Sequence, residues 1–119
     1  MDLREYQSFG SVDNITKANV SPTPASVYAV RILNKNAAIR YFQLHNKATA
    51  PAAADVPLAS WAIPAGSATA PGVLVLDARH FNPALPFSVG LGWAISTTAQ
   101  TFTDSATGSE HDIDVRWGG

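Results

Sequence analysis

The 119-residue sequence predicts an all-β domain: an antiparallel β-sandwich or jelly-roll-like barrel of about six to eight strands, preceded by an extended N-terminal arm. Three observations predict it. Six segments between residues 27 and 117 carry strand signals, and the longest of them, 87–96, alternates strictly between apolar and small residues. Stretches rich in Pro, Gly, Ser and Ala separate them. No segment carries the apolar stripe of a helix that packs on a core. The length suits one domain, divided here into an arm (1–25) and a β-sandwich (26–119).

In the arm, Leu3, Tyr6, Phe9, Val12 and Ile15 recur at every third position. On a helix that spacing drifts by about 60° per step, and a strand needs every second position. The segment therefore reads as extended chain with apolar anchors, ending in a hinge at Pro22 and Pro24. An irregular first strand is the alternative reading. An arm of this kind would be removable: a chain lacking residues 1–24 is expected to keep its β-domain and lose its ability to associate.

The β signals then follow in order. VYAVRILN (27–34) sets Tyr28, Val30 and Ile32 on one face and Arg31 on the other, and NKNAA (34–38) is a polar connection of hairpin length. IRYFQLH (39–45) has apolar residues on both faces, which predicts a bulge or a strand covered on both sides. KATAPAAADVP (47–57) is a loop, LASWAI (58–63) a strand, PAGSATAPG (64–72) a loop and VLVLDA (73–78) a continuous apolar strand.

FSVGLGWAIS (87–96) gathers Phe87, Val89, Leu91, Trp93 and Ile95 on one face. Ser88, Gly90, Gly92, Ala94 and Ser96 make the other face wholly small. Either something approaches it closely (a sheet, a subunit or a flat ligand) or it marks a corner where bulk would clash. HDIDVRW (111–117) closes the series, with Ile113, Val115 and Trp117 inward and Asp112, Asp114 and Arg116 outward.

Composition narrows the partners. A formal net charge of −1 with scattered Lys and Arg offers no basic stripe for nucleic acid. No apolar run reaches the roughly 18 residues that a membrane helix needs, and MDLREYQSFGSVDN lacks the form of a signal peptide. The two N-x-S/T matches, at Asn14 and Asn19, read as chance. Without cysteine there is no disulfide framework and no thiolate chemistry. Only 14% of residues are charged, which suits a domain partly covered by neighbours.

Catalytic patterns fail on spacing. Gly90 and Gly92 resemble the start of a dinucleotide fingerprint, but Ile95 takes the third glycine's place and the pair lies within a strand. Of Glu110, His111, Asp112 and Asp114, a strand sends His111 and Asp112 to opposite faces, and Arg116 compensates the shared face of the two aspartates. His45, His80 and His111 lie apart, and no serine sits in a nucleophile elbow. The chain is read as a non-enzyme without metal or cofactor. Trp61 and Trp93 read as core. Trp117, near the end of the sequence, either closes the core or lies open to stack on a sugar ring.

VYAVRILNKNAAIRYFQLHN, LASWAIPAG and LPFSVGLGWAISTTAQTFTD…HDIDVRW together resemble small all-β virion proteins of tailed bacteriophages, over residues 27 to 117. The resemblance implies a capsid decoration or cement protein that binds neighbouring subunits through its arm and loops. Its partners would be copies of itself and a major capsid or tail protein, in a homo-oligomer. It would be soluble in the host cytoplasm before joining the virion. The alternative is a tail or fibre component that binds a carbohydrate or receptor through the 47–57 and 97–110 loops with Trp117. Leu3, Tyr6, Phe9, Val12, Ile15, Gly90, Gly92 and Trp117 are the candidate partner-interface residues.

Overall fold

The computed structural model describes residues 3–119. Among these residues nine strands form two antiparallel sheets packed face to face, and neither described sheet closes into a barrel. The strands are β1 (Leu3–Phe9), β2 (Lys17–Ser21), β3 (Ala25–Asn34), β4 (Arg40–Asn46), β5 (Ala59–Ile63), β6 (Gly72–Leu76), β7 (Leu85–Phe87), β8 (Leu91–Ser96) and β9 (His111–Gly118). One helical turn, α1 (Gly10–Asp13), follows β1, and a 3₁₀ turn at Gly108–Glu110 leads into β9. The first sheet runs β1-β9-β3-β6, with β7 also paired to the start of β3. The second runs β2-β8-β4-β5.

The core lies between the sheets. Val27, Val30, Ile32, Ile113, Val115 and Trp117 face Phe42, Leu44, Ile63, Leu91, Trp93 and Ile95. Each large apolar side chain buried here contributes about 1.5–3 kcal/mol, which is what two sheets with one apolar face each gain by stacking. Trp61, His80 and Phe81 stand edge to face beside Phe42 and plug the side between β5 and β6.

Four expectations meet corrections. Residues 1–25 are not an arm outside the domain. β1 pairs along its whole length with β9, from Leu3↔Gly118 to Phe9↔Asp112, and β2 pairs with β8; Met1 and Asp2 lie outside the described residues. The connection 35–39 is not a hairpin, because β3 and β4 belong to different sheets. The Asn34 side chain bends it into an arch by donating to the carbonyls of Ala38 and Pro64 and accepting from the Asn36 N–H.

In β3 a register shift between Val27 and Ala29 turns both Val27 and Val30 inward, so Tyr28 leaves the face that Val30 and Ile32 share. Finally, 87–96 is two strands. The chain leaves the first sheet after Phe87 and enters the second at Leu91. Gly90 makes the crossing beside the backbone of Lys47 and Ala48, where a Cβ would come within 2.6–2.8 Å of main-chain atoms.

Candidate interaction surface

The outward faces of the two sheets differ. On the second sheet the small residues Gly92, Ala94 and Ser96 are buried although they point away from the core. The chain itself covers them. The 47–57 loop lays Pro51 against Gly92, and Lys47 Nζ holds this loop by donating to Asp55 Oδ2 at 2.7 Å. That hydrogen bond, with a second from the Ala52 N–H, keeps the Asp55 carboxyl below its ordinary range. The 97–107 loop joins from the other side: Ala54 N–H donates to Phe102 O and Phe102 N–H to Asp55 O. Gln43 Nε2 reaches the Thr98 and Thr101 carbonyls.

Beneath the two loops lie Phe102 and His45, ring edge against ring at 6.2 Å, with His45 Nε2 2.9 Å from Gln43 Oε1. Burial lowers the His45 pKa to about 4. His111, on the inner side of β9, is likewise lowered to about 4 by burial; its Nε2 lies 2.7 Å from Thr107 Oγ1 and its Nδ1 has no hydrogen-bond partner. Both histidines are therefore neutral structural groups at ordinary pH.

The outward face of the first sheet has no such cover among the described residues. The strand registers place side chains in rows across it. One row is Phe9, Asp112, Leu33 and Val73, and the next is Gln7, Asp114, Arg31 and Val75. Glu5 and Arg116 lead a third row, 3.4 Å apart as an exposed ion pair. Lys35 pairs with Asp112, also at 3.4 Å. Leu3, Phe9, Val73 and Val75 are 69%, 52%, 46% and 57% exposed. Large apolar side chains thus flank a central ionic stripe on both sides. A shallow depression of about 380 Å³ opens beside Leu3, Tyr28, Ala29 and Arg116.

The candidate residues separate accordingly. Leu3 and Phe9 lie on this open face. Tyr6, between them, turns inward against Trp93, with ring centroids 6.3 Å apart. Val12 and Ile15 lie outside the sheets, in α1 and in the turn after it. The spacing of three therefore does not define one face. Gly90 and Gly92 are covered by the chain's own loop and offer no partner surface. Trp117 belongs to the core at 7% exposure, and Arg4 lies over its ring at 5.2 Å, so it presents no sugar-stacking platform.

Val73 and Val75 are not among the candidates because VLVLDA reads only as a continuous apolar strand, a pattern that marks no outer face. That β6 is an end strand of the sheet is a property of topology, and no local pattern carries it. Asp112 and Asp114 share the outer face with Arg116, as the alternation requires. Among the described residues no three His, Cys, Asp or Glu side chains gather closely enough to hold a metal ion. No protein-family model matches the chain, and comparison with curated proteins and with solved structures gives no match.

Proposed function

We propose that this chain is an assembly protein without catalytic residues or cofactor, which docks on neighbouring subunits through the outer face of the β1-β9-β3-β6 sheet. The capsid decoration and cement proteins of tailed bacteriophages are the type it fits. One observation carries the reading: the molecule spends two loops covering one sheet and leaves Leu3, Phe9, Val73 and Val75 open on the other. Exposed apolar side chains on both margins of a charged stripe give a partner apolar area to cover and fixed charges to set its orientation. The virion as the setting rests on the resemblance of residues 27 to 117 to small all-β virion proteins.

The binding elements differ from an arm and free loops. The arm is two strands, and the loops are occupied on the second sheet. The carbohydrate-binding alternative needed an exposed Trp117 beside those loops, and Trp117 is buried. Quantitative mass spectrometry of purified particles from the source of the chain tests the role. A fixed copy number per particle, in simple ratio to a major shell or tail subunit, is the expected result. Confinement of the chain to the soluble fraction would refute it.

A further inference from the structure

Among the described residues the sandwich has five edge strands, and four of them are blunted. β7, paired only with β3, is three residues long and contains Pro86. β2 carries a register shift between Asn19 and Ser21; β5 runs directly into Pro64; β6 is five residues long and stands beside the aromatic plug that closes the β5 side. Such features keep strand edges from pairing with other chains. β1 has none of these, and its one capped edge group is the Phe9 N–H, which donates to Asp13 Oδ2. It is seven residues long, contains neither Pro nor Gly, and holds an unbroken register with β9.

The free edge of β1 has a definite polarity. The Lys35 N–H donates to Glu110 O, which directs the backbone groups of Glu110, Asp112, Asp114 and Arg116 toward β3 and those of the residues between them toward β1. Across β1 it is then Arg4, Tyr6 and Ser8 that bond to β9. Leu3, Glu5, Gln7 and Phe9 point their backbone groups outward, and Phe9 N–H indeed donates to Asp13 Oδ2 instead of to β9.

We infer that a second copy of this chain pairs with that edge, β1 against β1, antiparallel about a two-fold axis at Tyr6. An isologous pair of this kind requires each outward-pointing residue to face another one. The odd-numbered residues must therefore meet odd-numbered residues, which leaves few registers. One sets Glu5 against Glu5 of the other copy, a like-charge pair directly opposed. Another sets Glu5 against Phe9 and shortens the overlap.

The register centred on Tyr6 spans all seven residues, with the Phe9 N–H at each end already held by Asp13 Oδ2. It sets Leu3 opposite Phe9, apolar against apolar, and Glu5 opposite Gln7, carboxylate against amide. On the inner side Tyr6 meets Tyr6, which covers a ring that the single chain leaves partly exposed. The two first sheets join into one continuous sheet with their outer faces aligned. The pairing uses the strand edge and leaves the outer face free, so its failure would leave the proposed docking role standing.

The native absence of cysteine gives a direct test. Two full-length single variants, Glu5→Cys and Gln7→Cys, are prepared separately, mixed and oxidised. In the inferred register residue 5 of one copy faces residue 7 of the other, about 5.5 Å apart at Cα and within disulfide range. The mixture is expected to give several-fold more covalent dimer than either variant alone. Light scattering of the native chain is expected to give twice the chain mass, and Gln7→Pro, which removes one outward N–H, should return it to monomer with its fold intact by circular dichroism. A native chain that is monomeric at all accessible concentrations, or cross-linking no greater in the mixture than in the separate variants, would overturn the pairing.

Discussion

Pro51 lies on Gly92: a Cβ at that glycine would stand 3.2 Å from the proline Cδ. The small face of 87–96 is thus filled from within the chain, by a loop that crosses back over the sheet containing it. The same closure leaves the opposite sheet as the open one, and the functional reading depends on that asymmetry.

Gly90 and Gly92 should differ sharply in their tolerance of a methyl group. At Gly90 the Cβ would meet Lys47 O at 2.6 Å and Ala48 Cα at 2.8 Å, main-chain atoms that shift only with the fold. Gly90→Ala is expected to cost about 1–3 kcal/mol, the usual cost of overpacking. Gly92→Ala meets mainly the Pro51 ring and should cost less than about 1 kcal/mol. Urea denaturation of the two variants checks the contrast.

Phe102 pins the two loops to the second sheet. It is 2% exposed, with the His45 ring on one side and Lys17 Nζ 5.5 Å from its ring centroid. Phe102→Ala should destabilise the protein by about 3–5 kcal/mol. Amide exchange should quicken in residues 47–57 and 97–107, and water reaching His45 should bring its pKa back up toward 6.5, read by NMR titration.

Stability should fall in mild acid. His45 and His111 have folded pKa values of about 4, below the 6.5 of an unperturbed histidine. Between those values the unfolded chain binds more protons than the folded one. The stabilisation is therefore complete above pH 6.5, declines as pH falls and is lost below about 4. The gap amounts to roughly 3 kcal/mol per histidine. Thermal melts across this range should show the decline, and His45→Gln and His111→Gln should each remove about half of it.

Removing residues 1–24 should abolish folding instead of detaching an arm. The deletion takes away β1 and β2, uncovers one side of β9 and of β8, and removes the Tyr6 ring from Trp93. The truncated chain is expected to lack a cooperative melt and to show red-shifted tryptophan emission. A cooperative transition near that of the full chain would restore the arm.

Local alternation made much of the fold legible. HDIDVRW alternates as read, and IRYFQLH is covered on both faces because Phe42 and Leu44 enter the core while Gln43 and His45 lie beneath the loops. The strands of residues 3–21 were less legible. β1 buries only one side, and its apolar residues divide between the two faces, so Leu3, Tyr6 and Phe9 give no period of two. The break at Ser88–Gly90 was hidden for the opposite reason: a period of two runs straight through a crossing between sheets, and Val89 lies exposed in it. The open face itself could not be found from local pattern, because exposure of Val73 and Val75 depends on which strand ends the sheet.

Hydroxyl-radical footprinting of the chain, free in solution and within purified particles, tests the docking face most directly. Leu3, Phe9, Val73 and Val75 should be modified in the free chain and protected in the particle, while Phe102, Trp93 and Trp117 stay unreactive in both. Unchanged labelling of the four face residues on assembly, with protection appearing instead on the 47–57 and 97–107 loops, would contradict the account.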